Sequence, residues 1–292
     1  MSVLKEPVAT PSRVRGIFRY LLQTKEKREK EEVLKKILSP DKLLKNATSP
    51  RLMLNDTINE VLKARLLIRE DEEIAINPDL PENSQNPQLG DKLLPDTLAE
   101  LFFASGNEDE EDFGRACAWY LAQEIYEAPG SWEEVEKQVH KQNVGHFLKM
   151  SNNALYGQMD DWMCYMGFAW GHSLGGKRVT VPDPTAYLKR NLQHLFNQEQ
   201  EILMKDFITR LGQKCPLFET GRFREEVEAE IGRRQPNYLS TSTAFALFRL
   251  QDEEYIKLER KSDADLMILP GVNNQVDDNG RISHITWLGE RS

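Results

Sequence analysis

The chain lacks most of the features that announce a particular chemistry. It has only three cysteines, Cys117, Cys164 and Cys215. They are odd in number, far apart and without a CxxC pair, which excludes a disulfide framework and a cysteine-built zinc site. The five histidines show neither H-x-x-x-H nor HExxH spacing, so no metal centre is expected. There is no GxxxxGK[ST] loop, so ATP hydrolysis is not expected either. No run approaches the ~20 apolar residues that span a bilayer, and residues 1–16 lack the apolar centre of a signal peptide. These absences predict a cytoplasmic protein with no membrane contact, no cofactor and no small-molecule substrate.

What is present is a globular composition on a charged surface: 292 residues, 39% hydrophobic and 29% charged. That length exceeds a single core of roughly 100–200 residues and predicts more than one unit. The net charge of −9 argues against a nucleic-acid partner until it is divided by segment. Residues 1–65 carry roughly +7, residues 91–200 roughly −8 and residues 201–292 about −3. Only the first segment suits phosphates.

Residues 77–95 concentrate Pro, Asn and Gly without an apolar period, and read as a linker over 79–95. Before it, Val14, Ile17, Phe18, Leu21 and Leu22 lie at helical spacing, a second short helix runs over 31–38, and a third is opened by Ser49 as cap with Pro50 after it. In this third helix Leu54, Ile58, Val61 and Leu62 form the buried stripe. Arg51, Asn55, Asn59 and Lys63 form the opposite stripe, with side chains able to reach phosphates and base edges. Two short strands follow, around a Glu70-Asp71-Glu72-Glu73 turn. Three helices and a β-ribbon are the order of a winged helix-turn-helix, with Arg13, Arg15 and Arg19 of the first helix on phosphates. The acidic turn departs from a phosphate-contacting wing. A helical bundle whose hairpin only packs, or binds a protein, therefore stays open.

Residues 199–292 repeat the scheme, with Lys257, Arg260, Lys261 and Arg281 on the ribbon. Residues 96–198 read as all-helical, with the aromatic residues of 119–170 as core. The expected architecture is mainly α with small β-wings: a winged helix over 1–78, a linker over 79–95, a helical domain over 96–198 and a winged-helix-like domain over 199–292.

Two strings hint at catalysis. Gly171-His172-Ser173-Leu174-Gly175 matches G-x-S-x-G, whose serine needs a strained strand-to-helix turn. Residues 161–170 favour a helix before it, residues 177–182 cannot form one after it, and the glycines read as a helix C-cap and turn. The acid and base to complete a triad would be Asp263 or Asp265 with His284, all in the C-terminal ribbon. Glu259-Arg260-Lys261 has the E-x-K spacing of metal-dependent nucleases, but Asp252 is too close to supply the second acid. No enzyme is expected, with a serine hydrolase at Ser173 and a nuclease as the residual readings.

Pro11-Ser12-Arg13-Val14-Arg15-Gly16, Pro182-Asp183-Pro184-Thr185, Arg260-Lys261-Ser262-Asp263-Ala264-Asp265 and Ser283-His284-Ile285, in this order of elements, resemble the DpdG proteins of bacterial 7-deazaguanine DNA-modification clusters. The resemblance implies a part in a multi-protein system that modifies or restricts DNA, and it transfers no catalytic residue. The expected function is that of a non-catalytic subunit of a bacterial DNA-modification or anti-phage defence system that binds double-stranded DNA through its winged helices and other subunits elsewhere; the alternative is an adaptor that binds proteins without touching DNA. A stand-alone winged-helix regulator is the third, although no coiled coil or sensor pocket supports it.

Overall fold

The computed structural model describes residues 3, 8–44, 51–262, 264–272, 275–276 and 278–289. The expected cap at Ser49 and Pro50 and the triad acid Asp263 lie outside the described residues. The chain is mainly helical, with small antiparallel sheets. It forms two compact units, residues 1–110 and 111–292.

In the first unit, α1 (Pro11–Gln23) begins with Pro at its first position and buries Val14, Ile17, Phe18, Leu21 and Leu22. Each such fully buried side chain contributes up to about 1.5–3 kcal/mol. After it come β1 (Arg28–Lys30), α2 (Glu31–Leu38), α3 (Leu52–Lys63), β2 (Leu67–Glu70) and β3 (Glu73–Ile76). The expected ribbon is β2–β3, in register Leu67↔Ile76. Three charged residues add a third strand, since β1 pairs with β3 through Arg28↔Ala75, giving the order β1-β3-β2. Arg-Glu-Lys carries no apolar alternation, which is why pattern reading misses such an edge strand.

Residues 79–95, expected as a linker, are built into this unit. Leu80, Ser84 and Leu94 are buried, and Gly90 opens α4 (Gly90–Phe103). A Cβ on Gly90 would sit 2.3 Å from the Ser84 carbonyl oxygen and 3.1 Å from Leu22, so α1 and this segment close on each other through the missing side chain. Prolines 78, 81, 87 and 95 hide the few apolar contacts among turn residues, and composition alone reads as a break.

The second unit opens with α5 (Glu111–Leu121), α6 (Trp132–Gln142), α7 (Gly145–Leu148) and α8 (Asn153–Met166). Trp119, Tyr120, Trp162 and Phe168 are buried, as a core reading requires, whereas Tyr126 and Trp170, expected in the same core, are exposed. The segment is not all-helical. Gly167, at φ 82°, caps α8 by donating to the Met163 and Cys164 carbonyls, and the chain then forms the hairpin β4 (Trp170–Leu174) and β5 (Lys177–Val181). Gly175 and Gly176 have φ of 57° and 78°, the two positive values that a two-residue hairpin turn requires. Of the helix cap and turn read from these glycines, only the turn forms; the helix is capped earlier, at Gly167. Next comes α9 (Thr185–Phe196), where Asp183 accepts from the Thr185 N–H at 3.0 Å.

The rest is β6 (Glu201–Leu203), α10 (Met204–Lys214), α11 (Arg222–Ile231), α12 (Thr241–Asp252), β7 (Ile256–Glu259), β8 (Met267–Ile268), β9 (Arg281–Ile282) and β10 (His284–Trp287). Its main sheet has the order β6-β10-β7, while β8 and β9 pair separately.

Candidate nucleic-acid interface

Three features were expected to present cations and amides to a duplex: the outer stripe of α3, the arginines of α1, and the C-terminal ribbon. The structure brings α1 and α3 together in one unit, but it gives most of these side chains internal partners.

Arg51 precedes α3 in the left-handed region, φ 66°. Its Nε donates to the Ser39 carbonyl at 2.9 Å and its Nη2 pairs with Asp41, leaving the side chain only 14% exposed. It therefore ties the end of α2 to the start of α3 instead of projecting outward. Asn55 is half-buried, with Oδ1 enclosed and without a hydrogen-bond partner. Asn59 is exposed. Lys63 pairs with Glu60, a buried acid that helical spacing of three places beside it.

On α1, Arg15 grips Asp91 with two bonds of 2.7 Å, and Arg19 approaches the same carboxylate at 3.5 Å. The Arg15 hydrogen bonds hold the Asp91 carboxyl below its ordinary range. Arg13 donates to the Val8 carbonyl at 2.5 Å and touches the Met53 sulfur at 3.3 Å. These three remain at the surface, yet two of them share an acid that lies outside the segment whose charge looked positive. Over residues 1–110 the formal balance is about −3.

The second unit repeats this economy. Lys257 pairs with Glu259 at 2.7 Å, Lys261 with Glu201 at 2.6 Å, and Arg260 stands 4.0 Å from Asp278. The hydrogen bonds from Lys261 and Lys257 lower the carboxyls of Glu201 and Glu259 respectively. Arg281 is exposed. The helix equivalent to a groove reader, α12, is enclosed. Thr241, Ser242, Thr243, Ala244, Ala246, Leu247 and Leu250 are buried, Ser242 donates to the Leu121 carbonyl at 2.6 Å, and Thr241 accepts from the Ile125 N–H at 3.0 Å. The end of such a helix that would enter a groove is here packed on the α5 connection.

The catalytic strings are equally placed. Ser173 is exposed on β4 opposite Arg178, and strand-turn-strand is not the strand-turn-helix of a nucleophile elbow. The hairpin is rooted by polar groups. Tyr120 donates to the Thr180 carbonyl at 2.7 Å, the Thr180 hydroxyl donates to Asp160 at 2.5 Å, and Arg178 Nε meets Asp160 at 2.6 Å. Burial pushes Asp160 above its ordinary range and the Cys164 thiol up to about 12, which makes this cysteine a poor nucleophile at neutral pH. Among the described residues no cluster of His, Cys, Asp and Glu could hold a metal, and no helix is long and apolar enough to cross a membrane.

Sequence reasoning missed a different surface. Val33 and Ile37 on α2, Leu43 after it, and Leu52 and Met53 at the start of α3 are exposed by 38–73%. The signal was present in α2, where Val33 and Ile37 stand one turn apart beside the buried Leu34, so that its apolar residues exceed one face.

A family model described as DpdG-like matches residues 1–264. Among curated proteins and solved structures, none matches the chain.

Proposed function

The chain belongs to the DpdG-like family, which associates it with a DNA-modification system, and from this premise we propose that it is a non-catalytic adaptor subunit that binds protein partners through its first unit. The element order α1-β1-α2-α3-β2-β3 with the sheet order β1-β3-β2 supports a winged helix-turn-helix there. The order β6-α10-α11-α12-β7-β8-β9-β10, with the sheet β6-β10-β7, supports a second one. In that reading α3 is the recognition helix and β2–β3 the wing.

One observation carries the choice of protein over DNA. Where a groove reader needs free cations, Arg51 and Lys63 are consumed in ion pairs and the wing turn is four acids, while five large apolar side chains are exposed about α2 and α3. Duplex binding draws its affinity from neutralised phosphates, and exposed apolar patches mark protein contact. Lys30, Lys36 and Lys42 are exposed without a partner among the described residues, and they favour duplex contact as the second reading. The test is a gel-shift titration of the full chain with duplex DNA from low salt to ~150 mM. The adaptor gives no retention at ~150 mM. Retention there with a log–log salt slope of about −3 or steeper, since each phosphate contributes about 0.9, establishes the second reading instead.

A further inference from the structure

We propose that the first unit pairs with a second copy of this chain, across a two-fold axis, through the exposed face of α2 and the first turn of α3. The inference rests on the adaptor reading and deepens it by naming a partner for that surface.

The apolar content has the right size. Val33, Ile37, Leu43, Leu52 and Met53 are exposed by 38%, 47%, 73%, 54% and 52%; Arg51 joins the start of α3 to the end of α2 through Ser39 and Asp41, and across that junction the five side chains offer on the order of 450 Å² of accessible surface. A standard interface buries about 800 Å² on each partner, of which roughly 65% is apolar in homodimers. The aliphatic stems of neighbouring lysines supply the remainder.

The charges beside the patch select its partner. Glu32, with its side chain 75% exposed, is held only loosely by Lys35 at 3.8 Å. Lys36, one turn further along the same flank, is exposed and has no partner among the described residues. A partner of one charge sign would satisfy one of these residues and repel the other. A second α2 running antiparallel satisfies both. Val33 and Ile37 then meet Ile37 and Val33 of the other copy, and the Glu32/Lys36 flank meets its own reverse, as a two-fold interface demands.

The experiment is sedimentation velocity on the full chain between ~1 and ~100 μM, with the duplex gel shift run on the same samples. The expected result is a species of twice the 33.7 kDa chain mass, converted to monomer by Ile37→Glu with an unchanged circular dichroism spectrum. Lys36→Glu should raise the dimer dissociation constant at least tenfold by setting acids against acids, and adding Glu32→Lys to it should restore dimerisation because the pair is only inverted. A monomer at ~100 μM overturns the dimer, as does a double variant no better than Lys36→Glu alone. A monomer that still ignores duplex leaves the adaptor reading standing. A dimer that retains duplex at ~150 mM salt supports the pairing and overturns the adaptor.

Discussion

Replacing Glu219 by Gln should cost the second unit about 3 kcal/mol. Glu219 lies between α10 and α11 with its side chain 2% exposed, and it accepts from the Ser240 hydroxyl at 2.6 Å and from Arg234. Arg224, fully buried, donates Nε to the Leu217 carbonyl at 3.3 Å, while its two terminal nitrogens have no hydrogen-bond partner. Burial alone would raise the Glu219 carboxyl, but Arg234, Arg224 and the hydroxyls of Ser240 and Thr243 overcome it and hold it at about 2. Burial pulls Arg224 down to about 10, which still leaves it cationic at neutral pH. A displacement from the ordinary 4.5 to about 2, at about 1.4 kcal/mol per unit, gives about 3 kcal/mol. That agrees with the ~3–5 kcal/mol lost when one member of a buried ion pair is removed.

A carboxyl whose folded value lies below its unfolded one stabilises fully above the unfolded value and loses that contribution as pH falls through the folded one. The wild-type midpoint should therefore fall between about pH 5 and pH 2, and the Gln variant should lack that portion of the fall. The assay is selective, because Trp119, Trp132, Trp162, Trp170 and Trp287 all lie in the second unit. Tryptophan fluorescence during urea or thermal unfolding thus follows this unit alone, and the variant should melt about 6–12 °C lower at pH 7. A loss under about 1 kcal/mol, or an acid slope equal to that of the wild type, would refute the argument that this carboxylate neutralises buried arginines.

Arg51→Ala should lower the stability of the first unit by about 1–2 kcal/mol, seen by circular dichroism or amide exchange, because it frees the Ser39 carbonyl and Asp41. The tryptophan transition should not move, and duplex affinity should be unchanged at matched salt; a weaker duplex complex from a fully folded variant would return Arg51 to the groove. Gly176→Val, at φ 78°, should cost about 1–2 kcal/mol at the hairpin turn. Amide exchange across β4 and β5 should then accelerate roughly tenfold, whereas unchanged exchange would show that the turn tolerates a β-branched residue.

Most helices were legible because their evidence is local. Pro11 with the Val14-to-Leu22 stripe marks α1, and Leu34 with its helical neighbours marks α2 within a residue of where it lies. The ribbon β2–β3 was legible as two short apolar runs around a charged turn, and the glycine pair announced a turn. Two elements were misread where local signals conflict with packing. The Pro-rich residues 79–95 close on α1 through Gly90, and the chain after Gly167, expected to stay helical through Trp170, turns into a hairpin once α8 is capped.

By itself the sequence determined a mainly helical protein of more than one unit, and its family. Periodicity, caps and composition are properties of neighbours along the chain, so they survive without coordinates. The tertiary structure decided which charges are available. Arg15 meets Asp91 76 residues away, Lys261 meets Glu201 60 residues away, and Arg51 reaches back to Asp41. A cation's freedom to meet a phosphate depends on what the fold sets beside it, and no count along the chain contains that information. The same folding left Val33, Ile37, Leu52 and Met53 in water, which the order of residues along the chain does not reveal.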